Sequence, residues 1–321
     1  IKRGTENFEI IKYEYYKDRS IEREAFKSGD IDFFNENSSK EWATAYDIPA
    51  LRNNLIKKEL IEHENPQGMQ AFIFNTRKNI FKEKKVRKAL TFAFDFEWTN
   101  KNLFYNAYKR SNSYFENSEL ASSGMPTQKE LEYLNGYREL LPKEVFSKEY
   151  ILPNNDGSGF IRDELKKAII LLSESGWKLI DGKLTNKKTG KKFEFEILLV
   201  SPAFERIVLP FKDNLEKLGI NVTIRTIDSA QYQNRLDNFD FDMIVSTFSQ
   251  SLSPGNEQRG FWGSDAANTN GSKNIIGIKD WVVDSLIDKI IASTSRDDLI
   301  YATRALDRVL LWGYYVIPQW H

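Results

Sequence analysis

The sequence has no cysteine and only two histidines, His63 and His321, among its 321 residues. Cysteine and histidine are the usual ligands of zinc, and they also supply the nucleophile or the base of many hydrolases. Their scarcity argues against a zinc site, a thiol nucleophile and a Ser-His-Asp triad. The missing cysteines do not decide the cellular compartment, because a chain of this length folds without disulfides.

Neither sign of charge is in excess, since 46 lysines and arginines balance 46 aspartates and glutamates. A balanced chain lacks the electrostatic attraction that draws proteins to nucleic acid or to an anionic membrane surface. No stretch approaches the roughly 18 uninterrupted apolar residues that a membrane-spanning helix requires. We therefore expect no nucleic-acid partner and no transmembrane segment.

Motifs that would indicate catalysis are also missing. The sequence contains no P-loop, no G-x-G-x-x-G fingerprint and no G-x-S-x-G elbow. Its acidic cluster, Asp237, Asp240 and Asp242, lacks the spacing of a calcium loop and is typical of a solvated surface. The sequence therefore predicts a protein that is not an enzyme and that carries no cofactor and no metal.

What is present suits a folded protein of about two domains. Hydrophobic residues make up 40% of the chain and aromatic residues 13%, which can supply a sizeable core. At roughly 150 residues per domain, this length predicts about two domains. The turn-forming residues 64–68 give the first plausible boundary.

Before that boundary, the pattern predicts a βαβ unit, a second helix and one more strand. Ser20 is expected to cap a short helix that stops at Gly29, and Ser39 begins the next helix. The β-branched and aromatic segments that predict strands are residues 8–16, 31–34 and 55–61.

After the boundary, strands and helices alternate, which predicts an α/β fold with helices covering a sheet. The predicted strands are residues 70–75, 193–199, 220–224 and 241–248, with an interrupted strand at 314–321. The predicted helices are residues 86–93, 98–108, 165–172, 204–218, 281–291 and 297–311, with another around Tyr232. Residues 110–124 are interpreted as a polar loop rather than core, and residues 125–159 as an irregular excursion with one helical piece.

Three loops at strand ends are rich in aromatic, amide and hydroxyl side chains. They are residues 114–118, 201–206 and 246–254. In open α/β sheets, ligands gather beyond the carboxyl ends of strands, and we expect the last two loops to lie there. Such side chains without a nucleophile indicate a pocket that holds a ligand, although ordinary loop polarity explains the composition equally well.

Two segments make the sequence resemble family 5 extracellular solute-binding proteins of ABC importers. They are Gln67–Thr76 (QGMQAFIFNT) and Val86–Asp95 (VRKALTFAFD). Residues 100–124, 204–211, 231–237 and 251–259 are similar, more narrowly, to the oligopeptide and microcin C binding branch. The resemblance covers essentially the whole chain.

The resemblance implies a type II periplasmic-binding-protein fold, a two-lobed clamp that closes on its ligand. It implies that residues 1–64 end the opening segment of the first lobe, that residues 65–313 form the second lobe, and that residues 314–321 are the return hinge strand. We expect that the chain lacks both ends of the full protein and the secretion signal. The implied partners are an oligopeptide or peptide-like ligand and an inner-membrane ABC permease, and the implied state is a periplasmic monomer.

The resemblance and the three loops together give the candidate ligand-binding residues. These are Asn75, Tyr114, Glu116, Asn117, Glu205, Arg206, Arg235, Phe248, Gln250 and Glu257.

Two of these candidates carry specific expectations. In peptide-binding relatives, an arginine that matches Arg235 can face the ligand's carboxylate; the alternative is a surface arginine paired with Asp237 or Glu205. Relatives often place an aspartate, which binds the ligand's ammonium group, at the position of Gln250. Here either Glu257 replaces that aspartate, or the ligand's amino terminus is not held at this point.

The expected function is therefore delivery of peptides or peptide-like compounds to a permease, without catalysis. An alternative from another class is a regulatory protein that senses a solute with the same lobe. A DNA-binding or signalling domain encoded beside this chain would favour that alternative.

Overall fold

The protein, seen in a computed structural model that describes residues 7–321, folds as two compact units. The first unit ends at Ile61, and the second runs from Glu62 to His321.

The helices of the first unit are α1 (Arg19–Ser28), α2 (Ser39–Thr44) and α3 (Pro49–Arg52). The helices of the second unit are α4 (Asn79–Lys82), α5 (Lys84–Thr91), α6 (Phe96–Leu103), α7 (Gln128–Leu134), α8 (Glu144–Ser147), α9 (Arg162–Glu174), α10 (Glu205–Lys217), α11 (Ser229–Asp237), α12 (Glu257–Trp262), α13 (Trp281–Ile291) and α14 (Arg296–Trp312). The strands are β1 (Gln67–Phe74), β2 (Phe115–Glu116), β3 (Trp177–Ile180), β4 (Lys183–Asn186), β5 (Glu194–Leu199), β6 (Asn221–Thr226), β7 (Met243–Phe248) and β8 (Val316–Pro318).

The described part of the first unit is helical and irregular. The two predicted helices are present, but α1 is capped by Asp18 and not by Ser20: the Asp18 carboxylate accepts a hydrogen bond from the Ser20 amide, and the helix ends at Gly29 with φ 90°. The glycine suits this left-handed position because it has no Cβ. An ion pair between Arg23 and Glu36 at 2.8 Å, joined by the Tyr46 hydroxyl, ties the helices together.

The three strands predicted for the first unit are wrong. Residues 8–16, 31–34 and 55–61 have no strand conformation, and Phe8, Ile10 and Tyr13 among them are largely exposed. A strand forms only where a neighbour pairs with its backbone and covers a face. No described segment of the chain pairs with these residues, so their β propensity is not realised here.

The second unit is built on a six-stranded sheet in the order β2-β1-β7-β5-β6, with β8 also paired to β1. Strands β5, β6 and β7 run parallel, and β1 runs antiparallel to β7, β2 and β8. The predicted strands and helices are present, but the helix predicted for residues 98–108 ends at Leu103, and the strand predicted for residues 314–321 is limited to Val316–Pro318. A separate hairpin, β3–β4, precedes β5.

Helices cover both faces of this sheet. In β1, Phe72 and Phe74 pack with side chains of α5, α9 and α10, whereas Ala71 and Ile73 pack with side chains of α13 and α14. Alternate residues of a strand point to opposite faces, so a strand covered on both sides is apolar throughout. Each phenylalanine that is fully buried contributes about 1.5–3 kcal/mol.

The expectation that residues 110–124 lie outside the core is wrong. Tyr114, Phe115 and Leu120 are completely buried. The fully buried Asp307 of α14 accepts hydrogen bonds from the Ser113 hydroxyl, the Tyr114 backbone amide, and the amide and hydroxyl of Ser122. Such a distant partner leaves no signal in the local sequence.

Residues 125–159 contain two α-helices, α7 and α8, instead of the single helical piece expected. A capping box starts α7: the Thr127 side chain accepts from the Glu130 amide, and the Glu130 side chain accepts from the Thr127 amide. Helix α12 was not predicted from the sequence.

Candidate ligand-binding site

The three polar loops meet at one edge of the large sheet. Because β5 and β7 are parallel, the loops that follow them emerge at the same edge. Strand β1 is antiparallel to β7 and starts there, and β2 pairs with its first residues, Gln67 and Gly68. We call this the carboxyl edge and define it by residues 114–118, 201–206 and 248–257.

Two of the candidate residues form the floor beneath the carboxyl edge. Tyr114 and Phe248 are 0% and 1% exposed, and their ring centroids lie 6.0 Å apart. Trp262 of α12 packs against both rings, at 5.0 Å and 4.7 Å. These aromatics position the loops above them and present little surface of their own.

Glu116 and Asn117 lie at the end of β2. The Glu116 side chain, half-buried, accepts a hydrogen bond at 2.6 Å from the Asn112 amide. Asn117 is exposed and has a positive φ of 60°, which asparagine tolerates better than most residues. Its side-chain amide donates to the carbonyls of His63 and Asn65, which holds the chain leading into β1.

Glu205 and Arg206 start α10, just beyond β5. The Glu205 carboxylate accepts a hydrogen bond at 2.5 Å from the Thr226 hydroxyl, at the end of β6. Arg206 is exposed, with its guanidinium carbon 5.7 Å from the centroid of the Phe104 ring. Arg206 therefore offers an exposed positive charge that a ligand at this edge can contact.

Gln250 and Glu257 belong to the loop after β7 and to the first turn of α12. The Gln250 Oε1 accepts a hydrogen bond at 2.7 Å from Gln258. The Glu257 carboxylate accepts from the Gly255 amide at 2.9 Å and from Gln258 at 3.2 Å.

The structure places Asn75 and Arg235 at the opposite edge of the sheet. Asn75 follows Phe74, which pairs with the first residue of β7, and its buried side chain donates to the carbonyls of Phe239 and Phe241. Arg235 lies in the last turn of α11. These two candidates are therefore not brought together with the other eight.

The partners expected for Arg235 differ from those observed. Its guanidinium pairs with Glu196 at 2.9 Å and with Asp240 at 3.2 Å, not with Asp237 or Glu205. Both observed partners lie near the start of a strand, Glu196 in β5 and Asp240 just before β7.

The sequence did not reveal that the last residues of the chain join the carboxyl edge. Residues 109–111 run beside residues 319–321, with hydrogen bonds from Lys109 to His321 at 3.1 Å and from Ser111 to Gln319 at 3.1 Å. Burial lowers the pKa of His321. The polar residues 109–113 carried no periodicity that pointed to this pairing.

A cavity of about 450 Å³ opens next to β2. Its lining includes Arg110, Glu116, Tyr150 and Arg308. Arg110 donates to the Pro153 carbonyl at 2.5 Å, and its burial lowers the pKa of the guanidinium to about 10. The guanidinium stays protonated at neutral pH and brings a buried positive charge close to the carboxyl edge.

Comparison with known proteins identifies the family. Residues 2–270 match the family model described as "Bacterial extracellular solute-binding proteins, family 5 Middle". The chain belongs to the family 5 solute-binding proteins. This is a family of periplasmic or extracellular binding proteins and not of enzymes.

Among the relatives of this chain, the "Probable peptide-binding protein YejA" of Agrobacterium fabrum is 45% identical over 320 residues. The alignment covers 99% of this chain and 52% of that relative. The chain spans about half the length of the curated relatives it matches.

Two solved structures of other proteins share the fold. AppA of Bacillus subtilis, solved with a nonapeptide, gives a TM-score of 0.68 at 21% identity. The match covers 94% of this chain and 52% of AppA. NikA of Brucella suis, solved with Fe(III)-EDTA, gives a TM-score of 0.64 at 18% identity. That match covers 94% of this chain and 54% of NikA. The fold is thus the α/β fold of the periplasmic binding proteins, and it holds ligands of different chemistry.

Neither a metal site nor a membrane span emerges from the part of the chain that the structure describes. Residues 7–321 contain no cluster of three or more acidic or histidine side chains able to hold a metal ion. None of their helices combines the length and the apolar character needed to cross a bilayer.

Proposed function

We propose that this protein is the solute-binding component of an ABC importer and that it binds peptides or peptide-like compounds without chemical change. The observation that carries the proposal is the carboxyl edge, where loops that are far apart in sequence present amide, hydroxyl and guanidinium groups above an aromatic floor. Backbone amides and carbonyls of a peptide are the natural partners of such groups.

The name of the YejA relative and the nonapeptide bound to AppA support a peptide as the ligand class. The iron chelate bound to NikA shows that the fold alone does not select this class. The ligand class of this protein therefore depends on the side chains of its own carboxyl edge, among which Asn117, Arg206 and Glu257 are exposed polar members.

The working cycle that we propose follows from the family. The protein is periplasmic, residues 65–313 form one ligand-binding lobe, residues 1–64 belong to the other, and residues 314–321 are the crossing between them. Closure of the lobes on a ligand prepares the protein to dock on an inner-membrane permease.

Native mass spectrometry of the protein as encoded in its gene tests this proposal. We expect ligand retained through purification to fragment as a peptide or as a peptide conjugate. We also expect the protein to capture members of a random mixture of short peptides and to release them intact. Capture of none of them would contradict the proposed function, and the appearance of cleavage products would indicate an enzyme.

A further inference from the structure

The β3–β4 hairpin and the loop that follows it carry a local excess of positive charge. Residues 176–193 contain six lysines and a single acidic residue, Asp181, which gives them a net charge of +5 in a chain whose total is zero. The lysines are Lys178, Lys183, Lys187, Lys188, Lys191 and Lys192. The balanced composition of the whole chain therefore conceals a basic surface at one place, and we call residues 176–193 the basic hairpin.

The ammonium groups of the basic hairpin are exposed and have no ion-pair partner. Within residues 7–321, no carboxylate oxygen lies within 4.0 Å of any of the six nitrogens. Lys187 donates to the carbonyl of Ser173 at 3.3 Å, which leaves its charge uncompensated. Glu174, just before the hairpin, pairs instead with Lys85 at 3.0 Å, and Glu194, just after it, pairs with none of the six. Since these like charges repel one another, the surface gains from an anionic partner.

The fold holds these lysines on a rigid support. Trp177 and Leu184 are buried, and the ring centroid of Trp177 lies 4.6 Å from that of Phe193. Alternate residues of a strand point to opposite faces. Burial of Trp177 and Leu184 therefore turns their neighbours, Lys178 and Lys183, towards solvent.

Two apolar side chains lie among these charges. Leu179 and Ile180, at the end of β3, are 60% and 39% exposed. Apolar side chains flanked by lysines suit the boundary of a lipid bilayer, where the ammonium groups meet anionic headgroups and the apolar side chains approach the acyl chains. An acidic protein surface would neutralise the lysines but offers these two side chains no comparable gain.

The basic hairpin lies away from the carboxyl edge. It leads into the start of β5, and the Leu184 amide donates at 2.8 Å to the carbonyl of Gly219, just before β6. Strands β5 and β6 are parallel, and the carboxyl edge lies at their other end. A bilayer that contacts the basic hairpin therefore leaves the proposed ligand site accessible.

We propose that the basic hairpin is a second functional surface, which binds the anionic headgroups of a phospholipid bilayer. Such binding concentrates the protein at a membrane surface. The inference goes beyond the proposed function and does not depend on it, because the interaction requires no ligand.

Sedimentation with lipid vesicles, in the absence of any peptide, tests this proposal on the protein as encoded in its gene. The vesicles contain either phosphatidylcholine alone or about 30% phosphatidylglycerol, whose headgroup is anionic. At about 0.1 M salt, we expect about ten-fold stronger binding to the anionic vesicles than to the neutral ones. At about 0.5 M salt, the shorter screening length should abolish the difference.

A variant with K187Q, K188Q, K191Q and K192Q should bind the anionic vesicles about ten-fold more weakly than the natural protein. Arginine at the same four positions keeps the charge and should restore binding. A control with K101Q, K143Q, K148Q and K279Q makes the same change in net charge at exposed positions elsewhere, and it should bind within about two-fold of the natural protein. The thermal transition of each variant verifies that it is folded.

Two outcomes would overturn the proposal. An equal loss of binding in the hairpin variant and in the control would show that only net charge matters. Sedimentation with neither kind of vesicle would exclude a lipid partner, and retention on immobilised polyglutamate in that case would assign the surface to an acidic protein. Neither outcome bears on the proposed function, which is checked separately by peptide binding to the hairpin variant.

Discussion

At the scale of single residues, two candidate ligand-binding arginines that looked alike in the sequence lie in different places in the fold. Arg206 and Arg235 are both arginines in helices next to strands, and the sequence favoured both as ligand contacts. In the structure, Arg206 is exposed at the carboxyl edge, whereas Arg235 is held at the opposite edge by Glu196 and Asp240. Because their surroundings differ, substituting each arginine by alanine compares an exposed arginine at the carboxyl edge with one that is held by ion pairs at the opposite edge.

We predict that Arg235→Ala leaves peptide affinity within two-fold of that of the natural protein, while Arg206→Ala lowers it about ten-fold. The first substitution breaks ion pairs that are partly exposed, which costs at most about 1 kcal/mol of stability. The second removes a cation that faces the proposed ligand. Calorimetric titration of the two variants with one peptide checks this, and a ten-fold loss in Arg235→Ala would place the ligand elsewhere.

A second residue-scale prediction concerns Asp307, the buried carboxylate beneath residues 113–122. Burial raises the pKa of Asp307 from its usual 3.8 to about 6, although hydrogen bonds from Ser122, Tyr114 and Ser113 oppose the shift. The folded protein therefore binds this proton more tightly than the unfolded chain does. The resulting stabilisation is complete below about pH 3.8 and is lost as the pH rises through about 6.

Asp307→Asn cannot titrate, so the free energy of unfolding of the natural protein relative to this variant should fall between pH 4.5 and pH 7. A shift of this size corresponds to a change on the order of 2–3 kcal/mol. Urea unfolding of both proteins at the two pH values measures it. A difference independent of pH would show that Asp307 is ionised throughout.

At the scale of elements, one side chain connects two consecutive helices to a turn near the end of the described chain. Arg87 of α5 is 5% exposed and donates to the carbonyls of Phe81 and Lys82, at the end of α4. It also donates to the carbonyls of Gly313 and Tyr314, in the turn between α14 and β8. Since β8 pairs with β1, this arginine helps to position the chain's last strand in the sheet.

We predict that Arg87→Lys lowers the free energy of unfolding by about 1–3 kcal/mol. A lysine carries its donors on one nitrogen and cannot reach carbonyls on both sides, so some of them stay buried without a partner. Chemical denaturation measures the loss. Arg162→Lys, an exposed substitution in the first turn of α9, should change stability by less than about 0.5 kcal/mol. Equal effects of the two substitutions would contradict the role given to Arg87.

At the scale of the whole molecule, the two units differ in how far their sequence patterns are realised. In the second unit, strands and helices alternate as predicted, because each strand has a neighbour and each helix has a face of the sheet to cover. In the described part of the first unit, residues 8–16, 31–34 and 55–61 have the composition of strands but no strand to pair with. Strand formation is a property of a sheet and not of one segment.

The sequence by itself determined the α/β class, most helices of the second unit and the loops that carry the candidate site. These follow from local signals: residues 71–74 are apolar throughout, Val86, Ala89 and Leu90 recur at helical spacing, and Gly176 ends a helix with a positive φ of 82°. Periods of two and 3.6 residues are properties of short segments, so they can be recognised without knowing the fold.

Only the tertiary structure decided which side chains share an edge and which way their hydrogen bonds run. It set Asn75 and Arg235 apart from the other candidates, buried Tyr114 over Asp307, and paired Gln250 with Gln258 of α12. Each of these outcomes depends on strand pairing or on a partner many residues away, and such contacts leave no periodic trace in a single sequence.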